Sequence, residues 1–349
     1  MTPQALSFQL VLPQVMRVPA CNGCPYMHNG RCEGAITKGA REIISGPSVI
    51  GCDDLELIMQ HYRYLHDRAA ISSHPARHDQ LILPSFIPVL RGGMPRAVKF
   101  SPDRLYGVYL RTVLNSYGDL EKKTPIELRA ALRLPPEARL ALFITATDKL
   151  IESAWELSEI RSIWERLFSL NFEFVTSATF SVYEEDPRFD QIYNQERNFI
   201  TYDIFCSLGV PCLPFLFFNP KSANDYDNII KWLRARRDVT KVAVLAHSYR
   251  QRTAFEHMVR QLKTIVRDVE RTLEFVFVGA ASQYKVEHLL LEFPNATFVT
   301  VQPVMKGIKG QRTLPNLKHI KVSPEEASKA DLITENIDSF THIINTLRG

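Results

Sequence analysis

The feature that most constrains the fold is an alternation of short apolar runs with longer helical patterns, which begins at Leu81 and continues to the end of the sequence. The apolar runs carry Val, Ile, Leu and Phe on both faces, as is typical of parallel strands covered by crossover helices. Their starts lie about 31 residues apart, the length of a strand, a helix and two short loops. There are eight runs, at residues 81–90, 106–112, 140–148, 172–182, 210–219, 239–248, 273–282 and 296–304.

Helical patterns follow most of these runs, at residues 125–133, 149–169, 188–208, 222–237, 249–270, 283–293 and 324–348. The last pattern opens with Ser323, Pro324 and Glu326, which predict an N-cap, a first-turn proline and a capping box. Eight strand-and-helix units predict an α/β fold, a TIM-type (β/α)8 barrel over 81–349, with an open doubly wound sheet as the alternative. The barrel is favoured because no Gly-x-Gly-x-x-Gly motif follows the first strand. The first unit shows no convincing helix.

Residues 1–80 lack this alternation, apart from one amphipathic helix predicted from Asp53 to Ala70. They contain four of the six cysteines, in the spacing C-x2-C-x7-C-x19-C: Cys21, Cys24, Cys32 and Cys52. Four thiolates suit tetrahedral Zn²⁺ or an iron–sulfur cluster, and the lone C-x-x-C pair places a [4Fe–4S] cluster slightly ahead of zinc. We therefore predict an N-terminal cysteine-rich, metal-binding cap, with four buried reduced cysteines as the alternative. Cys206 and Cys212 are interpreted as ordinary core residues.

Charge and hydropathy exclude some classes of protein. Lys and Arg number 42 and Asp and Glu 38, a balance that permits binding to nucleic acid without requiring it. The longest apolar run, from Val210 to Phe218, is far shorter than the ~20 residues that a membrane span needs. No basic segment precedes the first apolar stretch, so we do not expect a secretory signal. We expect a cytoplasmic location.

Three residues at strand ends are the candidates for catalysis, because barrel chemistry occurs at the carboxyl ends of the strands. Asp148 follows the third strand as a general base or, alternatively, as a helix cap. His247 follows the sixth as an acid or base or, alternatively, as a core histidine. Arg111 follows the second and, being costly to bury alone, should meet an anionic ligand or a carboxylate such as Asp148 or Glu152.

Candidate residues for binding substrate or phosphate lie at other strand ends and in one basic segment. Residues 304–313 interleave Lys306, Lys309 and Arg312 with Gly307 and Gly310, and we expect a flexible loop at the position where barrels commonly hold phosphate. The remaining candidates are Ser181, Arg188, Asn219 and Ser282.

The stretches FSVYEEDPR, NQER and GVPCLPFL, within residues 80–310, resemble an uncharacterised family of barrel proteins from phages and mobile elements. The chain is also distantly similar to the tRNA-guanine transglycosylase superfamily, including its DNA-modifying branch, through the barrel and Asp148. That superfamily's Asp-Ser-Gly-Gly-Phe motif does not follow Thr147. The resemblance implies transferase-like chemistry on nucleic acid.

Together these features predict an enzyme that acts on nucleic acid or a nucleotide, for example by base modification or exchange. Asp148, Arg111 and His247 would lie in the barrel mouth, with phosphate on the basic segment and the cap holding the substrate. The alternative is a non-catalytic interaction module of a mobile element or defence system, which binds a protein partner and whose metal is structural.

Overall fold

A computed structural model describes residues 23–28, 54–69, 81–115, 117–182, 186–218 and 223–349. Eight parallel strands form one sheet in the order β5-β4-β3-β2-β1-β8-β7-β6. The strands are β1 Phe86–Leu90, β2 Leu105–Tyr109, β3 Arg139–Phe143, β4 Phe174–Thr176, β5 Cys212–Leu213, β6 Lys241–Leu245, β7 Glu274–Val278 and β8 Thr297–Thr300. Six lie within the predicted runs, and β2 and β3 overlap theirs but begin one residue earlier.

Hydrogen bonds join the two ends of this sheet. The Ala243 N–H donates to the Pro214 carbonyl at 2.8 Å, and the Leu216 N–H donates to the Ala243 carbonyl at 2.9 Å. These bonds link β6 to the residues that follow β5 and bring the sheet round into a barrel. The predicted α/β barrel is confirmed, and the open doubly wound sheet is wrong.

Helices cover the outside of the barrel. They are α1 Pro25–His28, α2 Leu55–Ala69, α3 Leu110–Val113, α4 Pro125–Ala131, α5 Asp148–Arg161, α6 Ile163–Phe168, α7 Arg188–Ser207, α8 Ala223–Ala235, α9 Arg252–Val269, α10 Gln283–Glu292, α11 Gln302–Ile308 and α12 Lys329–Arg348. An antiparallel hairpin, β9 Gln311–Thr313 with β10 His319–Lys321, precedes α12. Residues 91–104, which the structure describes in full, contain no helix. None of the helices in the described ranges is long and apolar enough to span a bilayer.

The core has two layers because successive side chains of each strand point to opposite faces. Inside the barrel, Ile87 and Val89 of β1 pack with residues such as Phe143 and Phe174. Gly107 makes room for this inner layer, since a Cβ there would lie 2.8 Å from Cε2 of Phe143. The outer layer lies between the strands and the helices.

Helix α12 covers the outer face of β1, where the first unit has no helix of its own. Phe340 packs on Phe86 with ring centroids 4.6 Å apart, and Asp338 accepts a hydrogen bond from Arg104 at 2.8 Å. The predicted start of this helix is wrong by five residues. Ser328 is the N-cap and forms the capping box with Asp331, because the apolar helical positions begin only after that second cap.

Helix α2, predicted from Asp53 to Ala70, packs against α7 of the barrel. Asp54 Oδ1 accepts from the Leu57 N–H at 3.0 Å, which caps its first turn. His61 Nδ1 lies 3.2 Å from the Tyr193 hydroxyl, and the Tyr26 hydroxyl donates to Glu196. The described residues before position 80 therefore lie on the barrel wall formed by α7.

Candidate active site

A cavity of about 620 Å³ opens at the carboxyl ends of the strands, and we name it the His247 cavity. It lies where β2, β3, β6, β7 and β8 end, which is the catalytic face of barrel enzymes. The residues that line it are Tyr109, Thr145, Ala146, His247, Gly279, Ala281, Ser282, Lys285, Thr300, Val301 and Gln302. No carboxylate belongs to this lining among the described residues, so its fixed charge is positive.

His247 lies at the exposed mouth of this cavity, directly after β6. Desolvation by the surrounding protein lowers the pKa of the ring below its ordinary value of 6.5. A hydrogen bond to the Val278 backbone opposes that effect, whereas the positive charges of Lys285 and Arg250 add to it. The imidazole is therefore mostly neutral at pH 7 and able to accept a proton.

Gly279 determines how closely the end of β7 approaches this histidine. Its φ is +85°, and a Cβ at this position would lie 2.6 Å from Cβ and 2.8 Å from Nδ1 of His247. Only glycine combines that backbone conformation with such a close approach. The Nδ1 edge of the ring thus faces the β7 backbone.

Lys285 brings a positive charge to the cavity from α10. Its ammonium donates to the carbonyls of Ala246 and Tyr249 at 2.9 and 2.8 Å, which leaves one of its three N–H donors for a ligand. Burial lowers the pKa of Lys285. This residue was not identified from the sequence, because a lysine in a helical pattern has no distinguishing signal.

Tyr109 and Gln302 add polar groups to the cavity. Burial raises the pKa of Tyr109, so its phenol stays protonated and can donate a hydrogen bond. Gln302 Nε2 lies 3.0 Å from His319 Nε2, while the buried Gln302 Oε1 has no hydrogen-bond partner within the described ranges.

A second cavity of about 820 Å³ shares Tyr109 and Val301 with the first, and we name it the basic cavity. It is formed by the segment after β1, by α3 and by the region around α4. The residues that line it are Leu90, Arg91, Gly92, Gly93, Tyr109, Arg111, Thr112, Glu121, Lys122, Leu128, Ala131, Leu132, Val301 and Met305. Arg91 and Lys122 belong to loops far apart in sequence, which is why sequence reasoning missed their association.

Arg111 lies in the basic cavity rather than the His247 cavity. Because β2 ends at Tyr109, Arg111 lies exposed on the short helix α3 and does not bear the cost of burial. Neither of the predicted carboxylate partners, Asp148 and Glu152, forms an ion pair with Arg111 in the described part of the chain. Glu152 instead binds Arg197, through bonds of 2.6 and 2.8 Å.

Asp148 lines neither cavity. It is the first residue of α5, where the helix dipole favours an anion, and its Oδ1 accepts from the Ser181 hydroxyl at 2.6 Å. Asn194 donates to the Ser181 carbonyl at 2.6 Å, and Asn198 accepts from the Phe180 N–H at 2.8 Å. These bonds fix the segment after β4. The predicted catalytic role of Asp148 stays a prediction, and its contacts are those of a structural carboxylate.

The other predicted binding residues are dispersed. Ser282 lines the His247 cavity, whereas Arg188 forms an ion pair with the buried Asp225. Asn219 lies outside the described residues.

The basic segment is not the flexible loop that its glycines suggested. Its first part forms α11, with Lys306 inside the helix and Lys309 at its end. Arg312 lies in β9 and binds Glu326 at 2.5 Å and Glu335 at 3.0 Å. Gly307 serves packing, because a Cβ there would lie 2.6 Å from the Ile333 backbone. Two carboxylates thus already neutralise Arg312, one of the three predicted phosphate contacts.

The predicted metal ligands fall mostly outside the described residues. Cys24 is described and buried, whereas Cys21, Cys32 and Cys52 are not described. The described ranges contain no group of three His, Cys, Asp or Glu side chains that could hold a metal. Cys206 and Cys212 are buried core residues, as predicted, and burial raises the pKa of Cys206 to about 11.

Comparison with known proteins identifies similar barrels. The CutC protein from Streptococcus agalactiae is 12% identical, with a TM-score of 0.38, over 63% of this chain and 99% of that chain. The YdjI aldolase from Escherichia coli K12 is 11% identical, with a TM-score of 0.41, over 83% of this chain and 96% of that chain. No protein-family model and no curated protein matches the sequence. These likenesses concern the fold and carry no argument about chemistry.

Proposed function

We propose that the protein is a barrel enzyme that performs acid–base chemistry on an anionic, nucleotide-sized molecule in the His247 cavity. The observation that carries this proposal is a neutral imidazole beside a lysine ammonium, in a cavity at the carboxyl ends of the strands. Perturbed titratable groups in such a cleft are typical of catalytic sites.

Each polar residue has a distinct role in this scheme. Neutral His247 accepts a proton from the ligand. The Lys285 ammonium, anchored by two carbonyls, stabilises the negative charge that develops on the ligand as the proton leaves. Tyr109 remains a hydrogen-bond donor because burial raises its pKa.

The size and charge of the cavity support a nucleotide as the ligand. Ligand pockets usually measure about 300 to 1,000 Å³, and this cavity of about 620 Å³ falls within that range. A lining with one ammonium and no carboxylate attracts anions.

The test is a turnover screen with purified wild-type protein and two variants. Nucleosides, nucleoside monophosphates and short oligonucleotides are incubated with each, and products are identified by mass spectrometry. We expect His247→Gln to abolish the reaction, because glutamine fills similar space but cannot accept a proton. Ser248→Ala, at the adjacent exposed position, serves as the matched control and should retain activity.

Two results would contradict the proposal. Equal turnover by wild type and His247→Gln would remove the histidine from the chemistry. Binding without turnover of any compound would favour the non-catalytic interaction module instead.

A further inference from the structure

We propose that the basic cavity binds a phosphate group of the molecule whose reactive part occupies the His247 cavity. Only the link to a reactive part in the His247 cavity rests on the proposed function. Anion binding by the basic cavity is supported by the residues that line it. The proposed phosphate site therefore lies on the β1 and β2 side of the barrel mouth and not at α11, where the sequence predicted it.

The basic cavity combines a charged rim with an apolar floor. Arg91, Arg111 and Lys122 bring three cations to its lining, against the single carboxylate of Glu121. Buried Leu128 and Leu132 contribute apolar side chains. Three cations above a floor of low polarity attract a phosphate more strongly than they would in open solvent.

The cations of this cavity are not neutralised within the described part of the chain. Arg91 contacts Met305 Sδ at 3.2 Å, and no ion pair is recorded for it or for Arg111 there. Other arginines of the barrel differ: Arg197 binds Glu152 and Arg312 binds two glutamates. Uncompensated positive charge is therefore concentrated beside Tyr109.

Two glycines allow an anion to approach the backbone at the same place. A Cβ added to Gly92 or Gly93 would meet no atom within 4 Å, and Gly93 has a φ of +77°. The backbone–backbone hydrogen bonds of the described residues include none donated by either glycine N–H. Consecutive free N–H groups next to a glycine of positive φ form the kind of concavity in which proteins hold phosphate oxygens.

Tyr109 and Val301 form a wall common to both cavities. A phosphate bound by Arg111 would therefore belong to a molecule that can extend past Tyr109 toward His247. The ligand class is a phosphate ester with a planar or apolar remainder. Its source is either a free nucleotide or the backbone of a nucleic-acid strand.

Isothermal titration calorimetry with pyrophosphate at low salt tests the anion site directly. Hydrogen bonds to charged groups contribute about 1.5 to 3 kcal/mol, so Arg111→Ala should weaken binding at least tenfold. Arg166→Ala removes the same charge from an exposed site on α6 and should change the dissociation constant less than twofold. Equal weakening by both variants, or absence of pyrophosphate binding to the wild type, would overturn the anion site.

Two further probes identify the source of the phosphate. If the ligand is a free nucleotide, adenosine 5′-monophosphate should show the Arg111 dependence. If it is a strand, an eight-nucleotide thymidine oligomer should show it, with a steeper dependence on salt concentration. Independence from Arg111 in both titrations would refute phosphate-ester binding.

The histidine ring signals separate this inference from the proposed function. Adenosine, which lacks phosphate, should shift the His247 NMR signals equally in wild type and Arg111→Ala. No shift with intact, Arg111-dependent pyrophosphate binding would refute the proposed function and leave the anion site standing. The converse result would refute the anion site alone.

Discussion

Replacing Arg197, which forms a buried ion pair, should destabilise the barrel far more than replacing an exposed lysine whose ion pair has the same N–O distance. The side chains of Arg197 and Glu152 are only 2% and 13% exposed and form two hydrogen bonds of 2.6 and 2.8 Å. The Arg197 guanidinium also lies 3.8 Å from the centroid of the Phe180 ring. Arg197→Met removes these contacts and leaves the Glu152 carboxylate buried without its partner.

Breaking such a pair typically costs about 3 to 5 kcal/mol. With an unfolding entropy of about 2.1 cal/mol/K per residue over 349 residues, 1 kcal/mol corresponds to about 1.4 °C. The melting temperature of Arg197→Met should therefore fall by about 4 to 7 °C. Differential scanning calorimetry and urea unfolding measure the change.

The matched control is Lys263→Met. The Lys263 and Glu292 side chains also lie 2.6 Å apart, but they are 52% and 24% exposed. Solvent screens such a pair, and its loss should cost less than about 1 kcal/mol. Should Arg197→Met fail to fold, Glu152→Gln provides the same comparison, and Arg197→Met with Glu152→Gln should cost less than the sum of the single changes. Equal melting temperatures for Arg197→Met and Lys263→Met would refute the reasoning.

Three further outcomes are expected. Asp148→Asn should lower the free energy of unfolding by about 1 kcal/mol, because it weakens the Ser181 bond at the start of α5, and should leave turnover largely intact; loss of turnover at unchanged melting temperature would instead support the predicted catalytic role. Burial and the charge of Lys306 lower the pKa of His319, so the unfolded chain binds more protons below about pH 6.5 and stability should rise between pH 5 and pH 7; His319→Gln should flatten that rise in calorimetric scans, whereas the exposed His342→Gln should not. Cys24→Ser should reduce zinc or iron content measured after anaerobic purification, since we retain the proposal of a thiolate site; wild-type metal content in the variant would contradict it.

The barrel was predictable from sequence because each strand is apolar on both faces and each unit repeats at a similar length. His247 was predictable for a related reason, as its position after the apolar run VAVLA places it at a carboxyl end. Arg111 also follows a strand, but its exposure could not be predicted, because the exposure of a side chain depends on where the strand ends and on what packs beside it.

Associations between distant segments left no sequence signal. Lys285 reaches the mouth from a helix, and Arg91 joins Lys122 through the folding of two separate loops. The start of α12 is a local example of an arrangement that the sequence alone could not decide. Ser323 and Ser328 carry comparable capping patterns, and the packing of the apolar face of α12 selects the second.

The cover that α12 provides for β1 has a consequence for synthesis on the ribosome. The outer face of β1 is packed by Phe340, and its edge pairs with β8 through Phe86 and Phe298. Translation delivers these partners more than 200 residues after β1 has emerged. Until then the edge of β1 that faces β8 is unpaired and its outer face is uncovered, so the nascent chain exposes a segment prone to intermolecular pairing. Residues of β8 and α12, more than 200 positions further along the chain, are thus those that protect β1 from aggregation.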